Sequence, residues 1–368
     1  MCFQDPTILQ FQKRLEDEIH NNNLKTLFQL ESIPKDSQMK EVIDDVDSTE
    51  LEPVFEDFFM ALQRGKHLEQ YRILEDHYLI SMDGTGYFSS DKISCPGCLR
   101  KESKKGKVRY EPRKLSGHPD MRQVIPIAPE AVKNTDGNKK QDCEINAGKR
   151  LIKKIRKSHH RLNIIIVADS LHSKQPFIEE AKANRMSYIL VAKAEDHKIL
   201  MEWVNEQKQL KEVSKMKVKD KKGRLHVYEW INRVPLNGNK DTLWINYFEY
   251  WIIDKEKTTY RNSWVTDIDI KEENVRELVR GGRCWWKIEN ETFNTLKNHG
   301  YYIEHNYGHG EKNLSMNFFL LNLLAFFMHQ IFELTDIPYQ QCRIKLGSKR
   351  NLWDHLRVSI RMTPRPRG

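Results

Sequence analysis

Two short apolar, β-branched runs constrain this chain more than any other feature: NIIIVADS (163–170) and SYILVAKA (187–194). Ile164, Ile165, Ile166 and Val167 leave no polar face, so the strand they form has to be buried on both sides. Between the runs, SKQPFIEEAKANR (173–185) has helical spacing, with Ser173 as the expected N-cap. A strand, a helix and a second strand at this distance predict a parallel βαβ unit, and so an α/β fold.

Other segments extend the pattern. Residues 1–76 read as helices and loops. In LEPVFEDFFMALQRGKHLEQYRIL (51–74), Leu51, Val54, Phe55, Phe58, Phe59 and Leu62 recur at helical spacing, and Asp47 and Ser48 are cap candidates. HYLISMDGTGYFSS (77–90) reads as a strand, an Asp-Gly turn and the start of a hairpin through Tyr87 and Phe88. MRQVIPIAPEAV (121–132) reads as a further strand, with Pro126 and Pro129 marking its edge or end. CEINAGKRLIKKIRKSHH (143–160) is a helix, apolar at Ile145, Leu151, Ile152 and Ile155. Residues 201–265 are β-rich and aromatic after a Lys-rich stretch, which predicts an inserted antiparallel unit divided by Asn-Gly and Asp-Lys turns. From Lys271 the chain is helical again, and the tail RMTPRPRG is basic, Pro-rich and expected to be disordered.

Composition excludes several classes. With 15 Phe, 13 Tyr and 8 Trp, the chain is too aromatic to be disordered. Six cysteines in 368 residues form no disulfide framework, because Cys2, Cys143, Cys284 and Cys342 are scattered, which suits a reducing compartment. The longest apolar stretch, FFLLNLLAFFM (318–328), is short for a membrane span and reads as a core helix. No basic n-region with an apolar run opens the sequence, so a cytoplasmic, membrane-free protein is expected. Lys+Arg exceed Asp+Glu by 61 − 52 = 9, an excess that permits a polyanionic partner. Much of it lies in basic runs at 101–113, 149–161 and 211–224, each of which alone reads as a solvated face.

Three acidic positions stand apart. Asp83 and Asp169 each end an apolar strand, so both belong at one rim of a sheet. In RCWWKIENETFNTLKN (283–298), Glu289 shares a helical face with Trp285, Trp286, Phe293 and Leu296. A carboxylate on an apolar face is costly unless paired or metal-bound. Taken singly, each has a plain structural reading: a turn or helix cap for the aspartates, a surface pair for the glutamate. Taken together, they are an oxygen donor set for Mg²⁺ or Mn²⁺. CPGC (95–98) offers half a zinc site in Cys95 and Cys98, with His118 and Cys143 as conceivable partners or two free thiols as the alternative. His299, His305 and His309 follow the Glu289 helix without an HExxH pattern, and read as a structural turn or a DNA contact.

The segments SMDGTGYFSS, KQDCEINAGKR, IIIVADSLHS, YILVAKAEDHK and RCWWKIENETFNTLKNHGYYIEHNYGHG resemble a bacterial insertion-sequence transposase of the DDE type. The resemblance runs from about Cys2 to Glu333. It implies an α/β fold built on a ribonuclease-H-like mixed sheet with flanking helices, a β-rich insertion and a helical N-terminal region. The divisions are 1–76 (helical, DNA-binding), 77–200 (core, first part), 201–265 (insertion), 266–340 (core, second part) and 341–368 (basic tail).

The same resemblance implies that Asp83, Asp169 and Glu289 are the catalytic, metal-binding triad for two Mg²⁺ or Mn²⁺ ions. It implies DNA partners, the terminal inverted repeats of the element and its target, and a homodimer on DNA. Related families carry Arg four residues before the catalytic Glu and Lys seven after, where this chain has Trp285 and Leu296. The nearest bases are Arg283 and Lys297; with His305, Lys153, Lys154 and Arg156 they are the candidate DNA contacts. Family members place CFQDPTILQFQKRL some way inside their chains, so by this resemblance the chain is expected to lack an N-terminal portion that helps bind the element's end. The competing readings are a catalytically silent, transposase-derived DNA-binding protein and a structure-selective nuclease on the same core.

Overall fold

A computed structural model describes residues 2, 4–16, 29, 31–84, 123–132, 143–305 and 307–362, and the side chains of all of these except 288–290 and 359–362. The N-terminal region holds α1 (Ile8–Glu16), α2 (Asp36–Asp45) and α3 (Glu52–Arg64). Asp47 caps the 3-10 turn Ser48–Leu51, accepting from the Thr49 amide at 2.9 Å, and α3 buries Phe55, Phe59 and Leu62. Strands β1 (Arg72–Ile73) and β2 (His77–Met82) follow. Beyond 123–132 come α4 (Glu144–Ser158), β3 (Asn163–Ala168), α5 (Gln175–Ala183), β4 (Ser187–Val191) and α6 (Lys198–Leu210). An antiparallel meander continues with β5 (Ser214–Lys219), β6 (Leu225–Pro235), β7 (Trp244–Asp254) and β8 (Lys257–Thr266).

Among the described residues the eight strands form one mixed sheet in the order β1-β2-β3-β4-β8-β7-β6-β5. β2, β3 and β4 are mutually parallel, so the βαβ unit read from the two apolar runs is present. The meander is no detached unit: β8 pairs antiparallel with β4 and extends the same sheet. Part of its expected span is helical (α6), and the Lys-rich stretch supplies β5.

Alternation sorts the parallel strands onto two cores. Ile80, Met82, Ile166, Ala168 and Leu190 pack with α4 and α5, while Leu79, Ile165, Val167 and Ile189 face α7 (Val275–Arg283). That double cover is why the strands could be so uniformly apolar. Close approach of α7 depends on Gly281 and Gly282. A β-carbon at Gly282 would sit 2.7 Å from Nε1 of the buried Trp264, and one at Gly281 3.2 Å from Ile189.

After α7 the chain forms α8 (Trp285–Lys287), a π-helical segment (Ile288–Phe293) and α9 (Asn294–Asn298). Trp285 packs with the α7 core, whereas Leu296, Tyr301 and Ile303 belong to the core on the other face. The π turn, which contains Glu289, therefore lies where this helix passes from one core to the other. The extra residue per turn breaks the expected face: Phe293 and Leu296 are buried, but Trp286 is 45% exposed.

The apolar helix α10 (Leu314–Thr335) meets the length and hydropathy of a membrane span, yet 56% of that window is buried inside the protein, as in the core helix of a soluble protein. Its buried polar groups tie distant segments together. Asn317 donates to the Ile43 and Val46 carbonyls, Gln330 accepts from the Val124 amide, and His329 bonds the Cys2 carbonyl. Asp44 of α2 accepts from the amides of residues 311–314 and so caps α10.

Two further expectations are corrected. Residues 123–132 are buried but form no strand; Pro126 and Pro129 lack the donors a ladder needs. Ser173 does not cap α5, whose N-cap is Lys174. After α10 the chain forms α11 (Ile337–Leu346) and α12 (Lys349–Met362), held by Tyr339, Leu352 and Trp353; of the tail RMTPRPRG, residues 363–368 lie outside the described residues.

Candidate active site at the strand ends

Asp83 and Asp169 directly follow Met82 and Ala168, the last paired residues of the adjacent parallel strands β2 and β3. Neighbouring strands lie about 4.8 Å apart, so the two backbones deliver their carboxylates side by side at one rim. By alternation both fall on the face of Ser81 and Val167, the face covered by α7.

Asp83 is half-buried, and its Oδ1 accepts from the Gly84 amide at 2.9 Å. On Asp169, Oδ1 accepts from the Leu171 amide at 3.2 Å and from His172 Nδ1 at 2.7 Å. Burial pushes the Asp169 carboxyl up, but the His172 hydrogen bond and charge, the Leu171 amide and Lys193 outweigh it and hold the group below its ordinary value. The carboxylate is therefore ionised at neutral pH. Among the described residues no Lys or Arg forms an ion pair with it.

His172 is the contact that sequence reasoning missed. Its side chain is 1% exposed and its ring is packed edge-on against Phe177 at 4.9 Å. Its bond to Oδ1, together with the Leu171 amide on the same oxygen, fixes the rotamer of Asp169. The available signal was a His three residues after a strand-end Asp, in ADSLHS.

Glu289 lies in the π segment, and its side chain is outside the described residues. Buried polar atoms without a partner among the described residues flank these positions in sequence: Ser81 Oγ, Trp285 Nε1 and Thr292 Oγ1. Such atoms are uncommon in a folded chain and are usually met by water or an ion shell. Oxygen donors, an ionised carboxylate and nearby unmatched polar groups fit a hydrated Mg²⁺ or Mn²⁺. Among the described residues, no three His, Cys, Asp or Glu side chains form a metal-holding group.

The candidate DNA contacts are largely engaged. Arg156 donates to the carbonyls of His159, Leu162, Asn184 and Arg185, knitting α4 to the end of α5. Lys154 pairs with Glu52 at 2.5 Å and reaches the Pro129 carbonyl, and Lys153 pairs with Glu180 at 3.3 Å while remaining 65% exposed. Arg283 lies over the Tyr260 ring at 4.7 Å, and Lys297 pairs with Glu304 at 2.7 Å. His305 is exposed, edge-on to Tyr307. Cys95, Cys98 and His118 lie outside the described residues, and Cys143 is exposed at the start of α4.

A second Asp/His/Ser grouping has a structural reading. Ser173 Oγ bonds both the Ser170 carbonyl and His197 Nε2, at 2.7 and 2.6 Å. The one hydroxyl proton goes to the carbonyl, so His197 must donate to the oxygen and cannot act as its base. Ser173 is fully buried, and burial lowers His197 to about 4.

No family model and no curated protein matches this chain.

Proposed function

We propose that the chain is a DDE-type DNA transposase with a ribonuclease-H-like core, and that Asp83, Asp169 and Glu289 are its metal-binding triad. One observation carries this reading: two carboxylates leave the ends of adjacent parallel strands at one rim, and Asp169 is held ionised with the help of His172, with no Lys or Arg paired to it among the described residues. The packing of α7 on the face to which both aspartates project supports bringing in Glu289, because the Glu289 helix continues directly from α7.

Asp83 and Asp169 would hold the cations between them, with Glu289 completing the second position and His172 keeping Asp169 in its rotamer. When bound, two Mg²⁺ or Mn²⁺ ions supply a nucleophile at neutral pH and stabilise the oxygen that leaves phosphorus. Water attack would nick the element's terminal inverted repeats, and attack by the freed 3′-hydroxyl would join them to target DNA, on a homodimer that holds two ends.

The test is cleavage and strand transfer on DNA carrying the inverted repeats that flank the gene, with Mg²⁺. Asp83→Asn, Asp169→Asn or Glu289→Gln should each abolish both products. Intact cleavage in any of the three removes that residue from the triad. Specific binding without metal-dependent cleavage by the wild type favours the silent DNA-binding reading.

A further inference from the structure

The strand ends carry acid; a cluster of base lies elsewhere. A cavity of about 480 Å³ opens between the turn after α9 and the α11–α12 junction, lined by Arg343, Lys349, Arg350 and Arg357 with no carboxylate in its lining. Behind the wall, Arg343 and Lys349 share Glu333 at 3.6 and 3.4 Å, and Arg357 pairs with Asp354. Arg350 is exposed and has no ion-pair partner among the described residues.

We propose that this cavity binds the phosphodiester backbone of a single DNA strand, separately from the metal site. Three features point to a strand. Arg350 and Arg357 lie seven residues apart on one face of α12, a rise of about 10 Å, too far for one phosphate group and suited to successive ones. The positive end of α12 opens at the same place, where Ser348 Oγ accepts from the Asn351 amide at 3.1 Å. At the mouth, Tyr302 is 40% exposed on a turn held in the left-handed region, with φ +50° beside Gly300 at +94°. A tyrosine seldom adopts that conformation, and such strain collects at ligand-binding positions. Here it holds out an aromatic face on which a base can stack.

The choice of DNA over RNA rests on the reading above; the site itself requires no cleavage. The test is fluorescence anisotropy of a labelled single-stranded DNA oligonucleotide with the full chain in EDTA, across a salt series. The double variant Lys349→Gln/Arg350→Gln should bind about tenfold more weakly and lower the slope of log K against log salt by about 1.4, two contacts' worth. Tyr302→Ala should weaken binding about fivefold or more without changing the slope. A double variant that melts like wild type yet binds with unchanged affinity and slope overturns the proposal. Displacement of the DNA by low-millimolar inorganic phosphate overturns it in favour of a small phosphorylated ligand, and markedly tighter binding of matched RNA overturns the choice of DNA. Wild-type protein that binds DNA through these residues but never cleaves it would sink the metal-site reading and leave this one standing.

Discussion

The two halves of the sheet use carboxylates in opposite ways. In the antiparallel half, acid is neutralised across the strands. Glu229 and Glu249 sit directly opposite each other on β6 and β7, and that like-charge pair is compensated on all sides. Lys208 of α6 bridges both at 3.2 and 2.6 Å, Lys215 of β5 reaches Glu229 at 2.5 Å, and Arg261 of β8 reaches Glu249 at 2.5 Å. In the parallel half the strands are largely apolar on both faces, and Asp83 and Asp169 stand where β2 and β3 end. There Asp169 has His172 as its partner, with no Lys or Arg ion-paired to it among the described residues. A carboxylate surrounded by Lys and Arg has its charge satisfied. One held by a buried imidazole is the arrangement on which the proposed metal site rests. The difference separates acid that serves the sheet from acid at its rim.

The largest test of that division removes Glu249, which is 4% exposed. Glu249→Ala leaves Lys208 with Glu229 alone and takes the carboxylate partner from Arg261, whose side chain is 63% exposed, so it should cost only about 1–3 kcal/mol of stability. Urea unfolding measures it, and metal affinity of the folded protein should be unchanged. His172→Ala does the converse. It should lower metal affinity or cleavage by roughly 10–100-fold, the usual cost of losing an outer-shell partner. A loss of stability with normal metal binding would make His172 a packing residue only.

Gly282→Ala forces a β-carbon against Trp264 and should cost about 1–3 kcal/mol by overpacking. Because α7 leads into the Glu289 helix, cleavage should fall along with the melting temperature.

Acid should separate the halves more gently. Burial lowers His197 to about 4 and His329 to about 3, against an ordinary value of 6.5. Their neutral packing therefore contributes fully above 6.5, and its contribution is lost as pH falls toward those lower values. Asp220 and Glu229 are held below their ordinary carboxylate values, so the antiparallel half keeps its contribution until pH falls through that lower range. The melting temperature should decline between about pH 6.5 and 4.5, with a shallower slope in His197→Gln.

The legible parts of the molecule were those with one dominant period. The β-branched runs at 163–170 and 187–194 required burial on both faces, and the parallel unit followed. The β-rich, aromatic composition and turn signals in 201–265 marked strands, but could not tell a separate unit from a continuation of the sheet, because that depends on the edge β8 meets. Residues 121–132 looked like a strand because composition registers apolar side chains; two missing amide donors decided otherwise. Ser173 was a plausible cap by type, but bonding to Ser170 and His197 took its hydroxyl. The π turn at Ile288–Phe293 cannot be read from a 3.6-residue period, so the face assigned to Trp286 was wrong. At the candidate site, the two aspartates were visible because each ended an apolar run. His172 acts through a rotamer, which spacing alone does not specify.

The central claim is that the rim formed by Asp83 and Asp169 holds a divalent cation, and calorimetric titration of the full chain with Mn²⁺ tests it most directly. The wild type should bind, and Asp83→Asn and Asp169→Asn should each weaken binding by more than about 100-fold, beyond what loss of an outer-shell group produces, while melting within a few degrees of wild type. Both variants binding Mn²⁺ as the wild type does would contradict the account.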